Sequence, residues 1–361
     1  MAGTGLANQN IGQLILSTLA AYKDVPKFEA ALDFQEYYFV DQVFRRNNYQ
    51  EQSGTQVEFR CVLDNNGSAR HTRLFQQRTD HNKRDLITRG VVPWVYADAE
   101  AVYEAHILTM NRGESVIVNE IKTEYFATYA SLLKIIEERA VGSPDSSTDD
   151  LNPQGLGHIF GLFAGTNYTG GFLGQRHYYG DGTNTTSLFG IDSATQPMWR
   201  NPAANRTPTL DAGTMDTMRY LSIISEFKTP NDLREYYSDR NMRRRVLWSQ
   251  NDHAAYERLV NLGPDDRNGD LNPFRGAGVT WRGLQCVPLA TMNNDTYNRI
   301  YVVDFSYIFP VIHGNWWMRE DEPIRDQNQR HVWTVGIDCQ YAYGCDNLRR
   351  AGFVLFNPIA A

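Results

Sequence analysis

The side chains that most often perform catalysis or bind metals do not form a recognised pattern in this sequence. The chain has eight histidines, and no two lie three or four residues apart, the spacing that places two imidazoles on one helix face for a metal. A G-x-S-x-G nucleophile elbow and the Gly-Lys pair of a phosphate-binding loop are both absent. The acidic run Asp265, Asp266, Asn268 and Asp270 lacks the alternating ligands and closing glutamate of a calcium loop. The sequence therefore predicts no enzyme, no cofactor and no metal.

The four cysteines, Cys61, Cys286, Cys339 and Cys345, also do not predict a metal site. Cys339 and Cys345 are six residues apart with no third cysteine nearby, which does not fit zinc-ligand spacing. The apolar run 11–22 has no Lys or Arg before Lys23, so it does not fit a secretory signal, and we expect reduced thiols. No apolar segment is long enough to predict a membrane span.

Positive charge is concentrated in one part of a chain whose net charge is −7. The acidic balance disfavours a dedicated nucleic-acid binder, which would carry a basic face and a high pI. The basic residues of this part are Arg60, Arg70, Arg73, Arg78, Lys83, Arg84 and Arg89, against Glu58, Asp64, Asp80 and Asp85. Two interpretations fit: a solvated strand edge that resists aggregation, or a surface that contacts an acidic neighbour. The residues alone leave both open.

The secondary structure around these charges is predicted to begin with a strand over 57–63, where apolar residues alternate with other residues. Asn65, Asn66 and Gly67 predict a tight turn, with a return strand over 69–77. A short helix is predicted within 93–111. The segment between Gly113 and Gly142 contains no Gly or Pro, and its apolar residues recur at helical spacing, which predicts a helix of roughly 27 residues, about 40 Å long. The apolar stripe comprises Val116, Ile117, Ile121, Tyr125, Tyr129, Leu132, Leu133 and Ile136.

The second half of the chain is predicted to be mixed in secondary structure. The polar stretch 143–155 predicts a hinge, and ten glycines within 155–190 predict turns and close backbone approaches. Helices are predicted over 214–227 and from Ser249, which with Asp252 resembles a capping box, to 262. Strands are predicted at 246–248, 279–290 and 297–312. The final two strands, 332–343 and 352–356, are predicted to pair with each other.

Two strings near the C-terminus are similar to major capsid proteins of tailed bacteriophages. They are GLQCVPLATMNNDTYNRIYVV, which begins at Gly283, and HVWTVGIDCQYAYGCDNLRRAGFVLFNP, which begins at His331. The upstream order of elements also resembles that family over nearly the whole chain. The resemblance implies an α+β protein with the HK97-like capsid fold, which has an N-terminal arm, an extended β-hairpin loop, a long spine helix and a mixed central domain.

The resemblance also implies a division of the chain and a set of partners. The arm would be 1–53, the extended hairpin loop 54–90, the peripheral domain 91–150 with 313–361, and the axial domain 151–312. Many copies would assemble as hexamers and pentamers into an icosahedral shell around double-stranded DNA, in the host cytoplasm, and would remain in the virion. A separate scaffolding protein, a portal protein and a decoration protein would be partners, and a membrane would not. Predicted intersubunit contacts are Arg60, Arg70, Arg73, Arg78 and Arg84.

Two alternatives stay open. An encapsulin-like compartment has the same fold but encloses protein cargo, so the contents of the lumen would distinguish it from a phage capsid. A protein of another class, an enzyme with an unrecognised site within 155–310, would need a catalytic constellation that the motif search does not reveal. The position of Lys83, at the base of the predicted loop, disfavours the lysine cross-link that some capsid relatives form.

Overall fold

A computed structural model gives the fold of the chain. It describes residues 15, 17, 18, 38–44, 50–63, 71, 73, 87–105, 114–163, 170–225, 244–261, 279–329 and 331–357, with the backbone alone for 41, 42, 114–119, 260 and 261. The chain divides into two compact units. Unit 1 comprises Met1–Ser53, Trp94–Arg139 and Ile312–Tyr341, and unit 2 comprises Gly54–Pro93, Ala140–Val311 and Ala342–Ala361.

The described residues contain both helices and many short strands. The helices are α1 (Glu114–Val141), α2 (Leu156–Ile159), α3 (Ala212–Ser225), α4 (Gln250–Asn261) and α5 (Leu348–Ala351), with a π-helical turn at Phe39–Val43 and a 3-10 turn at Ala290–Met292. The strands are β1 (Gln50–Gln52), β2 (Gln56–Val62), β3 (Ile87–Pro93), β4 (Val95–Glu104), β5 (His177–Tyr178), β6 (Asn184–Thr185), β7 (Ser187–Leu188), β8 (Ile191–Asp192), β9 (Ala203–Asn205), β10 (Arg244–Trp248), β11 (Thr280–Trp281), β12 (Leu284–Pro288), β13 (Ile300–Asp304), β14 (Ile308–His313), β15 (Arg319–Glu320), β16 (Ile324–Arg325), β17 (Val332–Cys345) and β18 (Gly352–Phe356).

The long helix predicted from the sequence is confirmed as α1, which has 28 residues. Ile121, Leu132 and Ile136 of the predicted stripe are fully buried, and each such side chain contributes roughly 1.5–3 kcal/mol when removed from water. Val116 and Ile117 belong to the part of α1 for which only the backbone is described. The absence of Gly and Pro keeps the hydrogen-bond ladder continuous, and the stripe supplies the tertiary contact that a helix of this length needs.

The sheet of unit 1 is built on β17. Residues 332–341 of β17 pair antiparallel with β4, from Val332 opposite Glu104 to Tyr341 opposite Val95. β15 and β16 also pair with β17, in a six-stranded sheet whose main path is β1-β14-β17-β15. Residues 95–104 form β4, a strand that was not predicted from the sequence. Ala105 is helical, and the rest of the short helix predicted within 93–111 lies outside the described residues.

Small side chains on β4 allow α1 to approach the sheet. Every second residue from Val95 to Tyr103 faces α1, and three of these five are alanines. The Tyr103 hydroxyl donates a hydrogen bond to the Ile121 carbonyl at 3.3 Å, and the Tyr125 hydroxyl donates to Glu320 Oε1 at 2.6 Å. These bonds join α1 to the same sheet face at two points, so that face is the covered one.

Unit 2 contains a second six-stranded sheet, with the order β11-β12-β10-β13-β18-β9. All five residues of both β13 and β18 are buried, which is typical of central strands covered on both faces. The predicted pairing of 332–343 with 352–356 is wrong, because β18 pairs with β13 and β9, whereas β17 belongs to the other sheet. Gly352 at the start of β18 has φ +144°, and a Cβ there would collide with the Val302 carbonyl, so glycine is required.

The helices of unit 2 confirm two predictions. α3 covers most of the predicted 214–227, and Asp211 caps it by accepting a hydrogen bond from Thr214 N at 2.7 Å. The start of α4 has the predicted capping-box geometry: Asp252 N donates to Ser249 Oγ at 3.1 Å. Arg206 then holds Asp252 with two hydrogen bonds, of 2.8 and 3.0 Å, and this pair is almost entirely buried.

Candidate assembly surfaces

The hairpin formed by β2 and β3 carries the first candidate surface. Its register pairs Val57 with Val92 and Val62 with Ile87. The return strand predicted over 69–77 is therefore wrong, since β2 pairs with β3, some fifteen residues further along the chain. The Asn-Gly turn that suggested the earlier return lies outside the described residues.

The inner face of this hairpin is held by an aromatic side chain. Val57, Phe59 and Cys61 are buried in strict alternation with exposed residues. The Phe59 ring packs edge-on against Phe189, with centroids 5.3 Å apart, and opposite Phe59 in the register lies Gly90. A Cβ at Gly90 would collide with the Phe59 ring, so the glycine is needed for the ring to lie across the strand.

The opposite side, the hairpin outer face, comprises Glu58, Arg60 and Val62 on β2 with Ile87, Arg89 and Val91 on β3. Arg60 lies directly opposite Arg89, and Val62 lies directly opposite Ile87. Like charges placed opposite each other on neighbouring strands are destabilising. Val62 and Ile87 are 68% and 53% exposed. This face thus combines an opposed pair of cations with exposed apolar surface, and Glu58, two residues from Arg60, offsets part of the positive charge.

The structure describes only part of the predicted contact set. Arg60 lies on the hairpin outer face, and Arg73 is exposed. Arg70, Arg78, Arg84 and also Lys83 lie outside the described residues. Arg89 was not in the predicted contact set, although its position opposite Arg60 follows once the true register is known.

The uncovered side of the unit 1 sheet is acidic, and sequence reasoning missed it. The acidic sheet face comprises Asp98, Glu100 and Glu104 on β4, Asp338 on β17, and Asp321 beside β15. Asp98 lies directly opposite Asp338, and Asp321 Oδ2 lies 3.7 Å from where a Cβ on Gly336 would be. The signal was present as acidic residues at every second position in 96–104, but no strand was predicted within 93–111.

The carboxylates on this face affect each other. Partial burial raises the pKa of Asp338, and the negative charges of Asp321 and Asp98 raise it further, against the opposing effect of Arg319. Arg319 lies 3.4 Å from Asp321, so it compensates only part of the negative charge. Tyr96, next to Asp98 on the same face and 66% exposed, adds apolar surface.

Burial shifts the pKa values of the described cysteines and of His177 in the directions that make these side chains less reactive. Burial raises the pKa of Cys61 and Cys286 to about 12 and of Cys339 to about 11, so the nucleophilic thiolate is suppressed. All four cysteines are buried and free of disulfides. Burial lowers the pKa of His177 to about 3, and its Nδ1–H donates to the His158 carbonyl at 2.8 Å. A histidine held neutral in this way is a poor general base.

One buried carboxylate lies on α1. Glu137 is 2% exposed, and its Oε2 accepts hydrogen bonds from Phe39 N at 2.7 Å and Val40 N at 3.3 Å. Burial raises its pKa to about 7, with the backbone hydrogen bonds opposing that shift. Glu137 therefore holds the start of the π-helical segment against α1, and these hydrogen bonds explain why a carboxylate is buried at this position.

Among the described residues, no three His, Cys, Asp or Glu side chains are grouped so that they could hold a metal ion. A search of the described helices likewise finds none that is long and apolar enough to cross a membrane.

Comparisons with known proteins identify the fold through structure alone. No family model matches the sequence, and no curated protein sequence matches it. Among solved structures, the capsid asymmetric unit of cyanophage A-1(L) matches with a TM-score of 0.59 and 13% identity, over 92% of this chain and 95% of that one. The capsid of Myoviridae phage XM1 matches with a TM-score of 0.51 and 12% identity, over 99% and 100% of the two chains.

A third match extends the same result. The capsid of the native GTA particle has a TM-score of 0.52 and 11% identity, over 95% of this chain and 98% of that one. The three matches span almost the full length of both partners in each comparison, so they concern the whole fold and not a shared fragment. The chain therefore has the mixed α and β fold of the HK97-type phage capsid proteins.

Proposed function

We propose that this chain is the structural subunit of an icosahedral phage capsid that encloses double-stranded DNA. The observation that carries the proposal is the end-to-end structural match: capsid chains of nearly the same extent align with 92–99% of this chain.

The assignment of regions is part of the same proposal. α1 serves as the spine helix, residues 1–53 as the arm, and 54–90 as the extended hairpin loop. Residues 91–150 with 313–361 form the peripheral domain, and 151–312 the axial domain. The length of α1 and the projecting charges of the hairpin outer face support this assignment.

A non-enzymatic role is supported by the state of the buried groups. The described thiols have raised pKa values, and the buried His177 is held neutral. The buried ion pairs have structural roles. Arg206 with Asp252 joins two segments of unit 2, and Arg299, which pairs with Asp295 at 2.6 Å, also donates to the Gly157 carbonyl at 3.0 Å. The enzyme alternative within 155–310 gains no support from these residues.

The proposed partners are further copies of the chain, arranged as hexamers and pentamers. Closed shells of this kind use many heterologous contacts of modest strength, each repeated at every subunit. A separate scaffolding protein, a portal protein and a decoration protein complete the proposed set, with packaged DNA held without sequence preference. Assembly would take place in the host cytoplasm, and the mature location would be the virion.

Electron microscopy and sedimentation of the purified full-length chain test this function. The chain would be examined over a range of concentrations, with and without a crowding polymer. We expect closed particles of uniform diameter, and a chain that stays monomeric under all of these conditions would contradict the proposal. The contents of particles from the native host separate the two shell functions, because nuclease-protected DNA indicates a capsid and a folded protein cargo indicates an encapsulin-like compartment.

A further inference from the structure

A small cavity of unit 2 is lined by residues from the last turn of α3, from β10 and β13, and from the segment where α5 meets β18. Its volume is about 280 Å³, including the part that is open to solvent. Pockets that hold drug-sized ligands measure about 300–1,000 Å³, so this cavity suits a smaller group. Part of the lining is apolar, and the polar side chains that line it are Ser222, Ser225, Arg244, Asp304 and Arg350.

Positive charge predominates at this cavity. Two of the charged side chains that line it are arginines, and the third is Asp304. Arg282 brings another guanidinium to the edge of the cavity, because its Nη1 donates a hydrogen bond to Ser222 Oγ at 3.2 Å. This concentration of positive charge occurs in a chain whose net charge is −7. A recess lined by one sign of charge attracts the opposite sign, so the cavity favours an anion.

Neighbouring groups hold the two lining arginines in place. Arg244 lies opposite Asp304 in the pairing of β10 with β13, and its Nε donates to Asp304 Oδ2 at 2.9 Å. Arg350 Nη1 donates to the Tyr307 hydroxyl at 3.2 Å. Because these contacts already restrict the guanidinium groups, less side-chain entropy is lost when a ligand binds to them.

The turn that carries Arg282 has an unfavourable backbone conformation for this residue. Trp281 pairs with Leu284, so Arg282 and Gly283 form a two-residue turn between β11 and β12. Their φ angles are +50° and +78°. Positive φ at both positions is typical of a type I′ turn, which favours Asn-Gly and disfavours a long side chain at the first position. Such strain is often found where a side chain has a function, and here the guanidinium is placed beside Ser222.

We propose that this cavity binds a phosphate group, with Arg244, Arg350 and Ser222 as donors and Arg282 at its edge. Guanidinium groups bind phosphate through paired N–H donors, and a serine hydroxyl can donate to a further oxygen. The donors belong to β10, α5 and α3, so they suit a group with three terminal oxygens better than a planar carboxylate. The cavity lies within one chain, so this inference goes beyond the proposed function and does not depend on it.

Titration of the purified full-length chain with inorganic phosphate tests the site. Isothermal titration calorimetry, in a buffer free of phosphate and sulfate, should give one site per chain with a Kd below about 1 mM. Chloride at equal ionic strength should not give this signal. A DNA duplex without terminal phosphates, added as a competitor, identifies the source of the group. Displacement of bound phosphate indicates the nucleic-acid backbone, no displacement indicates free phosphate, and both results support the site.

Arg282→Asn separates binding from stability. Asparagine suits the first position of a type I′ turn, so this variant should raise the midpoint of thermal unfolding. Loss of the exposed cation should nevertheless weaken phosphate binding by about threefold or more. A merely structural role of Arg282 would change stability without changing the affinity for phosphate.

Arg350→Gln should weaken phosphate binding by about tenfold or more, because it removes a charged donor from the lining. The matched control is Arg258→Gln, at an exposed arginine of α4 that does not line the cavity, and it should bind phosphate as wild type does. Circular dichroism checks the folding of each variant. If Arg350→Gln does not fold, Arg350→Lys replaces it, with a smaller loss of affinity expected because the charge is kept and the planar fork is lost.

Several results would overturn the phosphate site. These are the absence of saturable phosphate binding by the wild-type chain, an unchanged affinity in the Arg282 or Arg350 variant, or an equal loss of affinity in Arg258→Gln. The second result would place the bound phosphate elsewhere on the chain, and the third would show a response to net charge alone. The formation of closed particles tests the capsid function separately, so failure of the phosphate site leaves that function standing.

Discussion

Burial and hydrogen bonding act in opposite directions on the carboxylate of Glu137. Its pKa is about 7 in the folded protein against an ordinary value of 4.5, so folding favours the protonated form. Its contribution to the free energy of unfolding is therefore complete below about pH 4.5 and is lost as the pH rises through about 7. At about 1.4 kcal/mol per pKa unit, a shift of this size corresponds to a loss of roughly 3–4 kcal/mol.

We expect Glu137→Gln to remove this pH dependence. The amide oxygen still accepts from Phe39 N, but the side chain cannot ionise. Urea unfolding of unassembled subunits between about pH 5 and about pH 8 measures the effect, as a wild-type curve that falls relative to the variant. Glu138→Gln, at the exposed neighbouring position, is the control and should follow wild type. Parallel curves for wild type and Glu137→Gln would contradict the assignment.

Two arginine–aspartate pairs in unit 2 separate the effect of burial from that of charge. Arg206 and Asp252 have side chains 1% and 8% exposed, whereas Arg219 and Asp216 are 61% and 72% exposed. Removing one member of a buried pair leaves an uncompensated charge and costs about 3–5 kcal/mol, whereas an exposed pair contributes about 0–1 kcal/mol. Arg206→Ala should therefore lower the free energy of unfolding far more than Arg219→Ala does, as measured by denaturant titration. Equal effects of the two substitutions would show that the Arg206 site is solvated.

At the scale of elements, α1 is the clearest success of sequence reasoning. A run without Gly or Pro and with one continuous apolar stripe can satisfy its backbone and its core contacts only as a helix. β4 was missed because VYADAEAVYE is rich in alanine and glutamate, which favour helices in isolation. In the structure those alanines are the small residues beneath α1, so tertiary packing overrides local preference.

The hairpin and the terminal strands were misassigned for a different reason. The Asn-Asn-Gly sequence is typical of a tight turn, so the return strand was predicted directly after it, at 69–77. Such a sequence indicates local backbone geometry, but it does not indicate which strand pairs with β2. β17 and β18 are neighbours along the chain, yet each completes a different sheet. The acidic sheet face could not be predicted while β4 itself was not predicted, because only the strand period places Asp98, Glu100 and Glu104 on one side.

Continuity of α1 can be tested near its middle, at Thr128. The Thr128 hydroxyl donates to the Glu124 carbonyl at 2.9 Å, within the helix. Thr128→Pro removes a backbone hydrogen bond and clashes with the preceding turn, which costs about 3 kcal/mol and bends the helix. The bend misaligns Ile121 from Leu132 and Ile136, so we expect shell closure to fail before the subunit unfolds.

The control is Thr128→Ala, which loses the hydroxyl but keeps a good helix former. Electron microscopy and sedimentation would compare both variants with wild type, and circular dichroism would follow subunit folding. Regular closed particles of Thr128→Pro at wild-type yield would show that assembly does not need a continuous α1. That outcome would remove the support that α1 gives to its assignment as a spine helix.

For the whole molecule, the comparison of structures detects a similarity to phage capsid chains that the comparison of sequences does not detect. Identity to the matched capsid chains is only 11–13%, and no family model matches. Cores tolerate extensive substitution when total volume and the pattern of apolar positions are kept. A fold can therefore be shared at this level of identity, and the resemblance was drawn from the order of predicted elements and two C-terminal strings and not from a short diagnostic motif.

If the hairpin depends on neighbouring subunits for part of its stability, it should be an early site of proteolysis in free subunits. β2 and β3 form a two-stranded sheet with no third strand among the described residues, and an isolated hairpin is at best marginally stable in water. Trypsin should therefore cleave unassembled subunits within 54–90, or within 1–50, before it cleaves at Lys122, Lys134 or Arg139 of α1. Those three residues lie in a continuous helix packed on a sheet, so they provide an internal control.

Assembly should reverse this order of susceptibility. If the hairpin outer face docks on a neighbouring copy, Arg60 and Arg89 become covered, and closed particles should lose cleavage at these two sites while exposed sites such as Arg219 are cut as before. Mass spectrometry of the fragments at matched digestion times measures both effects. Protection within 54–90 that is equal in free and assembled subunits would mean that the hairpin is held by its own chain. The binding energy between subunits would then have to come from other surfaces. A segment that binds a neighbouring subunit is stabilised by that binding, so a segment whose stability is unchanged by assembly contributes no binding energy.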